Sequence, residues 1–193
     1  MGHSQAAKAR TRERILTEAA AQIREAGLES VSVSTLMRKA NLTNGGFYGH
    51  FESRADLLVE ALRRALKEGA AKAHGRSGAQ GKPDFAAIVR GYLSRAHRDA
   101  PQNGCAIAAL VSDVGRADMT ARAAMSPHVE SFFEMVARAL ADEEENRAIA
   151  AVCAMVGALA LSRVVTDPKR SDAILKAVRE SLLKQEQPEA HSA

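Results

Sequence analysis

Residues 148–161 read A-I-A-A-V-C-A-M-V-G-A-L-A-L, 14 positions without one polar side chain. A helix with no polar face has to be covered on every side. The run is too short to span a bilayer, which takes about 20 residues, so it fits a buried helix. A chain of 193 residues can cover one face of it, and a second subunit can cover the other. Its small side chains let helices approach closely. A homodimer is therefore expected, the alternative being the central helix of a monomer. Ala, Leu, Arg, Glu and Lys dominate elsewhere, Pro is limited to 5, and no stretch alternates as a strand does. The fold class this points to is all-α, with about nine helices.

Caps and apolar periodicity divide the chain. A first helix is expected over residues 7–26, with Ile15, Ala19 and Ile23 on one face and Gly27 at its C-cap. Ser32 caps a second, short helix that carries Leu36, Met37 and Ala40 inward, and Asn41 ends it. Thr43 caps a third, ending near His50 and Phe51. Ser53-Arg54-Ala55-Asp56, a capping box with Asp in place of Glu, opens a fourth that reaches about His74. Residues 75–83, G-R-S-G-A-Q-G-K-P, read as a linker and set the expected boundary. The N-terminal domain is then residues 1–54, the fourth helix over 55–74 connects, and 75–193 form a second helical domain. In that second domain helices are expected over 84–99, 105–115, 118–141 (kinked or restarted at Pro127), 144–165 and 169–184. A disordered tail follows from about 185.

Charge and cysteine usage narrow the function. Through Gly75 there are 12 Lys/Arg against 8 Asp/Glu, and the remaining 15 of each cancel, so the whole formal charge of +4 lies in the first third. A basic N-terminal part on a neutral body suggests a polyanionic partner. Cys105 and Cys153 form no close pair, which argues against a disulfide framework or a multi-cysteine zinc site and for a reducing cytoplasm. The polar N-terminus does not read as a signal peptide. No phosphate-binding loop, nucleophile elbow or zinc-protease motif is present and the six His are scattered. The chain therefore reads as neither an enzyme nor a metal or cofactor protein.

The stretch that carries function is N-L-T-N-G-G-F-Y-G-H-F-E-S-R, residues 41–54. Three glycines would cost an α-helix roughly 2–3 kcal/mol. Yet Leu36, Ala40, Leu42, Phe47 and Phe51 are spaced to lock two short helices onto the first and fourth, a helix-turn-helix pattern. The opposite face shows Thr43, Asn44, Gly45, Gly46, Tyr48 and His50, whose groups suit phosphates and base edges. At Gly45 and Gly46 a missing Cβ would let backbone come close to DNA. Arg54 opens the fourth helix where it can meet a phosphate. Lys8, Arg10 and Arg12 open the first, within reach of the backbone or the minor groove.

Residues 10–66 resemble the DNA-binding domain of the TetR family of bacterial transcription regulators, carried by L-T-N-G-G-F-Y-G-H-F-E-S-R-A-D-L-L and by the order of elements. The resemblance implies phosphate contacts from Tyr48, His50 and Arg54, base-edge positions at Thr43, Asn44, Gly45 and Gly46, and backbone contacts from Ser34 and Thr35. Asn41 stands where Gly is usual and Gly49 where a larger side chain is common, so direct readout leans on Asn44. The resemblance also implies a C-terminal helical ligand-binding and dimerisation domain, with a dimer interface made by the last two helices. Between linker and interface it implies a ligand pocket, for which Tyr92, Leu110, Phe132 and Phe133 are candidate lining residues, and the few buried charges expected favour an apolar or aromatic effector. Phe85, Ile88, Ile107, Val111, Met125 and Met155 are further candidates. Cys105, after Gly104 at a helix start, has the placement of a reactive thiol in electrophile-sensing relatives; the plainer reading is a small buried residue. Cys153 reads as core. The expected function is a dimeric, sequence-specific DNA-binding regulator, a repressor released from a palindromic double-stranded operator by a small molecule or an electrophile. An activator, or a helical interaction module that does not bind DNA, is the alternative.

Overall fold

The computed structural model describes residues 2–74, 84–140 and 144–186. The expected linker at 75–83 and most of the expected tail lie outside them. Among the described residues the chain forms nine α-helices and three 3₁₀ segments, with no strand. They are α1 (Gly2–Ala26), α2 (Val33–Lys39), α3 (Arg54–His74), α4 (Phe85–Tyr92), α5 (Arg95–Asp99), α6 (Ala106–Arg116), α7 (Met119–Ala139), α8 (Glu145–Val164) and α9 (Pro168–Glu186). The 3₁₀ segments are Leu28–Ser30, Asn44–Gly49 and Pro101–Asn103.

Compactness groups residues 1–69 with 101–126, and 70–100 with 127–193. The two units are thus interleaved along the chain rather than separated by one cut. In the first, α1 buries Ile15, Leu16, Ala19, Ala20 and Ile23. Gly27 ends that helix at φ 86°, its N–H donating to the Ile23 carbonyl at 2.9 Å. Two polar ties fasten α6 and the segment before it to α1. Arg24, 6% exposed, donates to the Gln102 carbonyl at 2.6 Å and to Glu68 at 3.0 Å. The Asp113 carboxylate accepts the Leu28 N–H at 3.0 Å. A buried arginine requires such partners, because an unpaired charge in the interior is costly.

The helix-turn-helix turn is a Schellman motif. Asn41 sits at φ 55°, its N–H donates to the Arg38 carbonyl at 3.0 Å, and the Leu42 N–H donates to the Met37 carbonyl at 2.8 Å. The left-handed residue is Asn instead of Gly, as its tolerance of that region allows. The segment after it departs from expectation, since Asn44–Gly49 is 3₁₀ rather than α-helical. Neither Ser32 nor Thr43 makes a side-chain cap hydrogen bond, although both occupy cap positions. At the start of α3, Ser53 Oγ accepts the Asp56 N–H at 3.0 Å and Asp56 accepts the Glu52 N–H at 3.2 Å. That is the expected capping box with its return bond shifted by one residue.

In the second unit, the single helix expected over 84–99 is two helices. Asp84 caps α4 through the Ala86 N–H at 2.9 Å. Ser94 then donates to the Gly91 carbonyl at 2.9 Å and accepts the His97 N–H at 3.2 Å, offering the backbone a partner outside the helix ladder. His97 Nδ1 donates to the Tyr92 carbonyl at 2.8 Å. Pro127 neither restarts nor divides α7.

α8 carries the opening apolar run and packs chiefly on α9. By length and composition it could cross a membrane, contrary to the reading of the run alone, because the helix extends to 20 residues. It buries Ala148, Ala151, Val152, Met155, Ala158, Leu159 and Ser162. Within this single chain Cys153 is exposed and not core, and Leu161 and Val164 are 59% and 75% exposed. Ser171 Oγ donates to the Ser162 carbonyl at 2.5 Å, and Arg98 donates to Ser171 at 2.9 Å and to Asp172 at 2.8 Å, tying α5, α8 and α9.

Candidate nucleic-acid interface

The recognition segment is anchored from inside. Phe47 and Phe51 are buried, with ring centroids 5.6 Å apart and nearly parallel. Between these anchors Tyr48 is 75% exposed, and Thr43, Asn44, Gly45 and Gly49 are exposed as well. A 3₁₀ turn repeats every three residues, which sets Gly45 and Tyr48 on one side. A Cβ added at Gly45 or Gly49 would meet nothing within 4 Å. At Gly46 it would lie 3.7 Å from Met37 Cε, so this glycine abuts the α2 side chain. The exposed positions of the segment and its cap are thus Thr43, Asn44, Gly45, Tyr48 and Gly49, and Gly46, expected on the same face, is half-buried. Ser34 is exposed and Thr35 half-buried on the first turn of α2, with the Ser34 hydroxyl 3.0 Å from that of Ser32.

His50 closes the segment, half-buried, with its Nδ1 buried and without a hydrogen-bond partner. Desolvation by burial, then the positive charges of Lys8 and Arg12, hold its pKa below the ordinary histidine value.

Cations expected at the interface divide into two groups. Lys8 and Arg10 are exposed near the start of α1. Arg12 and Arg54 are turned to internal tasks. Arg54 donates to the Val31 carbonyl at 2.9 Å and to the Glu29 carboxylate at 3.1 Å. Arg12 donates to the His50 carbonyl at 3.3 Å, pairs with Glu60 of α3, and sets its guanidinium carbon 4.8 Å from the Phe51 ring centroid. Arg14 similarly donates to the Ala40 carbonyl at 2.6 Å. Glu60 was not singled out from the sequence. Its signal was a carboxylate beside the apolar stripe of Leu57 and Ala61, which a cation has to meet.

The effector candidates are distributed over both units. Tyr92 and Phe132 are buried with centroids 5.5 Å apart, and His97 stands edge-on to Tyr92 at 4.7 Å. Phe133 is half-buried. Leu110 is buried and Cys105 half-buried, both in the first unit. Cys105 is the N-cap of α6, and its Cα is 3.9 Å from where a Cβ on Gly69 would stand. Val111, expected to line a pocket, is 44% exposed.

Residues 15–61 match the family model described as bacterial regulatory proteins, tetR family. The fold is similar to that of a TetR-family regulator from Cytophaga hutchinsonii, at TM-score 0.76 and 17% identity over 92% of this chain and 95% of that one. It is similar to the reduced form of E. coli NemR, at TM-score 0.73 and 18% identity over 90% and 95%. A TetR-family regulator from Streptomyces coelicolor is similar at TM-score 0.67 and 24% identity, over 97% of each chain. No curated protein sequence matches this chain.

Proposed function

We propose that this chain, whose residues 15–61 match the tetR family of bacterial regulatory proteins, is a cytoplasmic, homodimeric DNA-binding repressor released from a palindromic operator by a small-molecule effector. The observation that carries the DNA-contact assignment is the recognition segment. Its two phenylalanines are buried, while the hydroxyl of Thr43, the amide of Asn44 and the phenol of Tyr48 are exposed on a strip free of large apolar groups apart from the tyrosine ring. These are the groups that meet phosphates and base edges in a major groove. Dimerisation is supported by the exposed apolar positions on α8, since such a face is normally covered by a partner. Two copies would present recognition segments to half-sites about 34–36 Å apart. An apolar or aromatic effector suits the ring cluster of Tyr92 and Phe132, and an electrophile would act through Cys105.

The test is selection of random-sequence duplex DNA on the full chain, followed by binding across a salt series. A recovered palindrome is expected. Tyr48→Ala should weaken all duplexes alike, whereas Asn44→Ala should relax preference at one position, at a cost of about 1–3 kcal/mol against the preferred base. Failure to enrich any duplex at low salt removes the proposal. For the electrophile arm, identical release of wild type and Cys105→Ser from the recovered duplex removes the thiol.

A further inference from the structure

A glycine-rich 3₁₀ segment has to be held in place by its surroundings, and the inference drawn from how this is done rests on the DNA-binding reading above. Three of the six residues of Asn44–Gly49 are glycine, and the cap position Thr43 contributes no side-chain hydrogen bond. Such a segment has little tendency to keep its own geometry, because 3₁₀ bonds are poorly aligned and glycine adds backbone freedom. Its position is therefore imposed by what packs against it. Phe47 and Phe51 supply the apolar part of that restraint.

Arg12 supplies the polar part. Its side chain leaves α1, donates through Nε to the carbonyl of His50 at 3.3 Å, pairs through Nη2 with Glu60 of α3, and lies over the Phe51 ring at 4.8 Å. One planar group thus touches the end of the recognition segment, its aromatic anchor and the helix beneath. Only a guanidinium can do this, because the carbonyl, the carboxylate and the ring face require donors in a fixed fork and a flat cation. Two of its five N–H donors are committed in this way, and Glu60 offsets the guanidinium charge that a phosphate would otherwise meet.

From this geometry we infer that Arg12 is a positioning residue, setting the recognition segment for base readout through His50 and Phe51, and that it is not a phosphate contact. The two roles give opposite results. A phosphate contact adds about 0.9 to the magnitude of the slope of log affinity against log salt and strengthens specific and non-specific binding together. A positioning group leaves the slope alone and acts on specific binding.

The experiment uses the full chain, wild type and three variants, Arg12→Gln, Arg12→Lys and Glu60→Gln, each checked for folding by a circular dichroism melt. The probes are the duplex recovered from random-sequence DNA on wild-type protein and a scrambled duplex of the same composition. Arg12→Gln is expected to weaken the recovered duplex about tenfold or more while the scrambled one changes by less than about twofold, with the slope unchanged. Arg12→Lys should be nearly as weak, since an ammonium keeps the charge but not the fork. Glu60→Gln should also weaken the recovered duplex selectively. The inference is overturned if Arg12→Gln weakens both duplexes alike with a slope smaller by about 0.9, if Lys restores wild-type binding, or if Glu60→Gln tightens both by freeing a cation. Should Arg12→Gln not fold, the other two variants decide, because both roles give them opposite outcomes. Wild type recovering no duplex at all strikes at the DNA-binding reading itself, and the inference falls with it.

Discussion

His50 ends the recognition segment with a buried Nδ1 and two cations nearby. Its pKa is lowered by burial first and by Lys8 and Arg12 after that. The unfolded chain, with an ordinary value of about 6.5, therefore takes up a proton before the folded chain does. Above that value both states are neutral and His50 adds no pH dependence. As pH falls from there towards the lower folded value, the unfolded state gains and stability is lost. Thermal melts between pH 5 and 7.5 should show His50→Gln with a shallower acid-side loss than wild type, and parallel curves would refute the assignment. Legibility at this scale was uneven. The exposure of Tyr48 and the burial of Phe47 and Phe51 follow from spacing on a short element. The inward use of Arg12, Arg14 and Arg54 does not, because a cation in sequence carries no sign of whether a carbonyl or a phosphate awaits it.

Two backbone positions fix the elements of the first unit. Gly27 stands at φ 86°, and an added Cβ would come within 2.7 Å of the Asp113 carboxylate oxygen that accepts the Leu28 N–H. Gly27→Ala is expected to destabilise by more than about 1 kcal/mol, since strain and crowding add to each other. Asn41 at φ 55° is the milder case. Asn41→Ala should cost about 1 kcal/mol and Asn41→Gly nothing. Urea denaturation of the three variants gives the order, and an Asn41→Ala variant as stable as wild type would contradict the Schellman account. Both turns were readable, because Gly and Asn punctuate the backbone by conformational preference alone. The 3₁₀ form of Asn44–Gly49 was not, since the four-residue spacing of Phe47 and Phe51 matches an α-turn, while Phe51 lies beyond the 3₁₀ segment. The division of 84–99 was missed for a related reason: Ser94 ends α4 through hydrogen bonds that periodicity does not register.

For the whole molecule, α8 decides the oligomeric proposal. Leu161 and Val164 are exposed, as are Cys153 and Ala150, on a helix that buries its other face through Ala148, Ala151, Val152, Met155, Ala158 and Leu159. Leu161→Asp should raise the dimer dissociation constant at least about tenfold if that face is the interface. Sedimentation velocity at micromolar protein reads this directly, and an unchanged distribution rules the face out. That the run offers no polar face was legible from 148–161. Which side chains turn outward was not, because a uniformly apolar run gives its helical period no phase.

The interleaving of the two compact units bears on how the protein is made. Residues 1–69 reach their full set of neighbours only when 101–126 exist, since Arg24 and Leu28 find Gln102 and Asp113 there. A ribosome adding about 5–20 residues per second needs roughly 3–11 s to travel from 69 to 126. During that interval the nascent reading head carries a cationic Arg24 side chain without the Gln102 carbonyl that receives it. A gene fragment ending near residue 74 would hold the chain permanently at that stage of its synthesis.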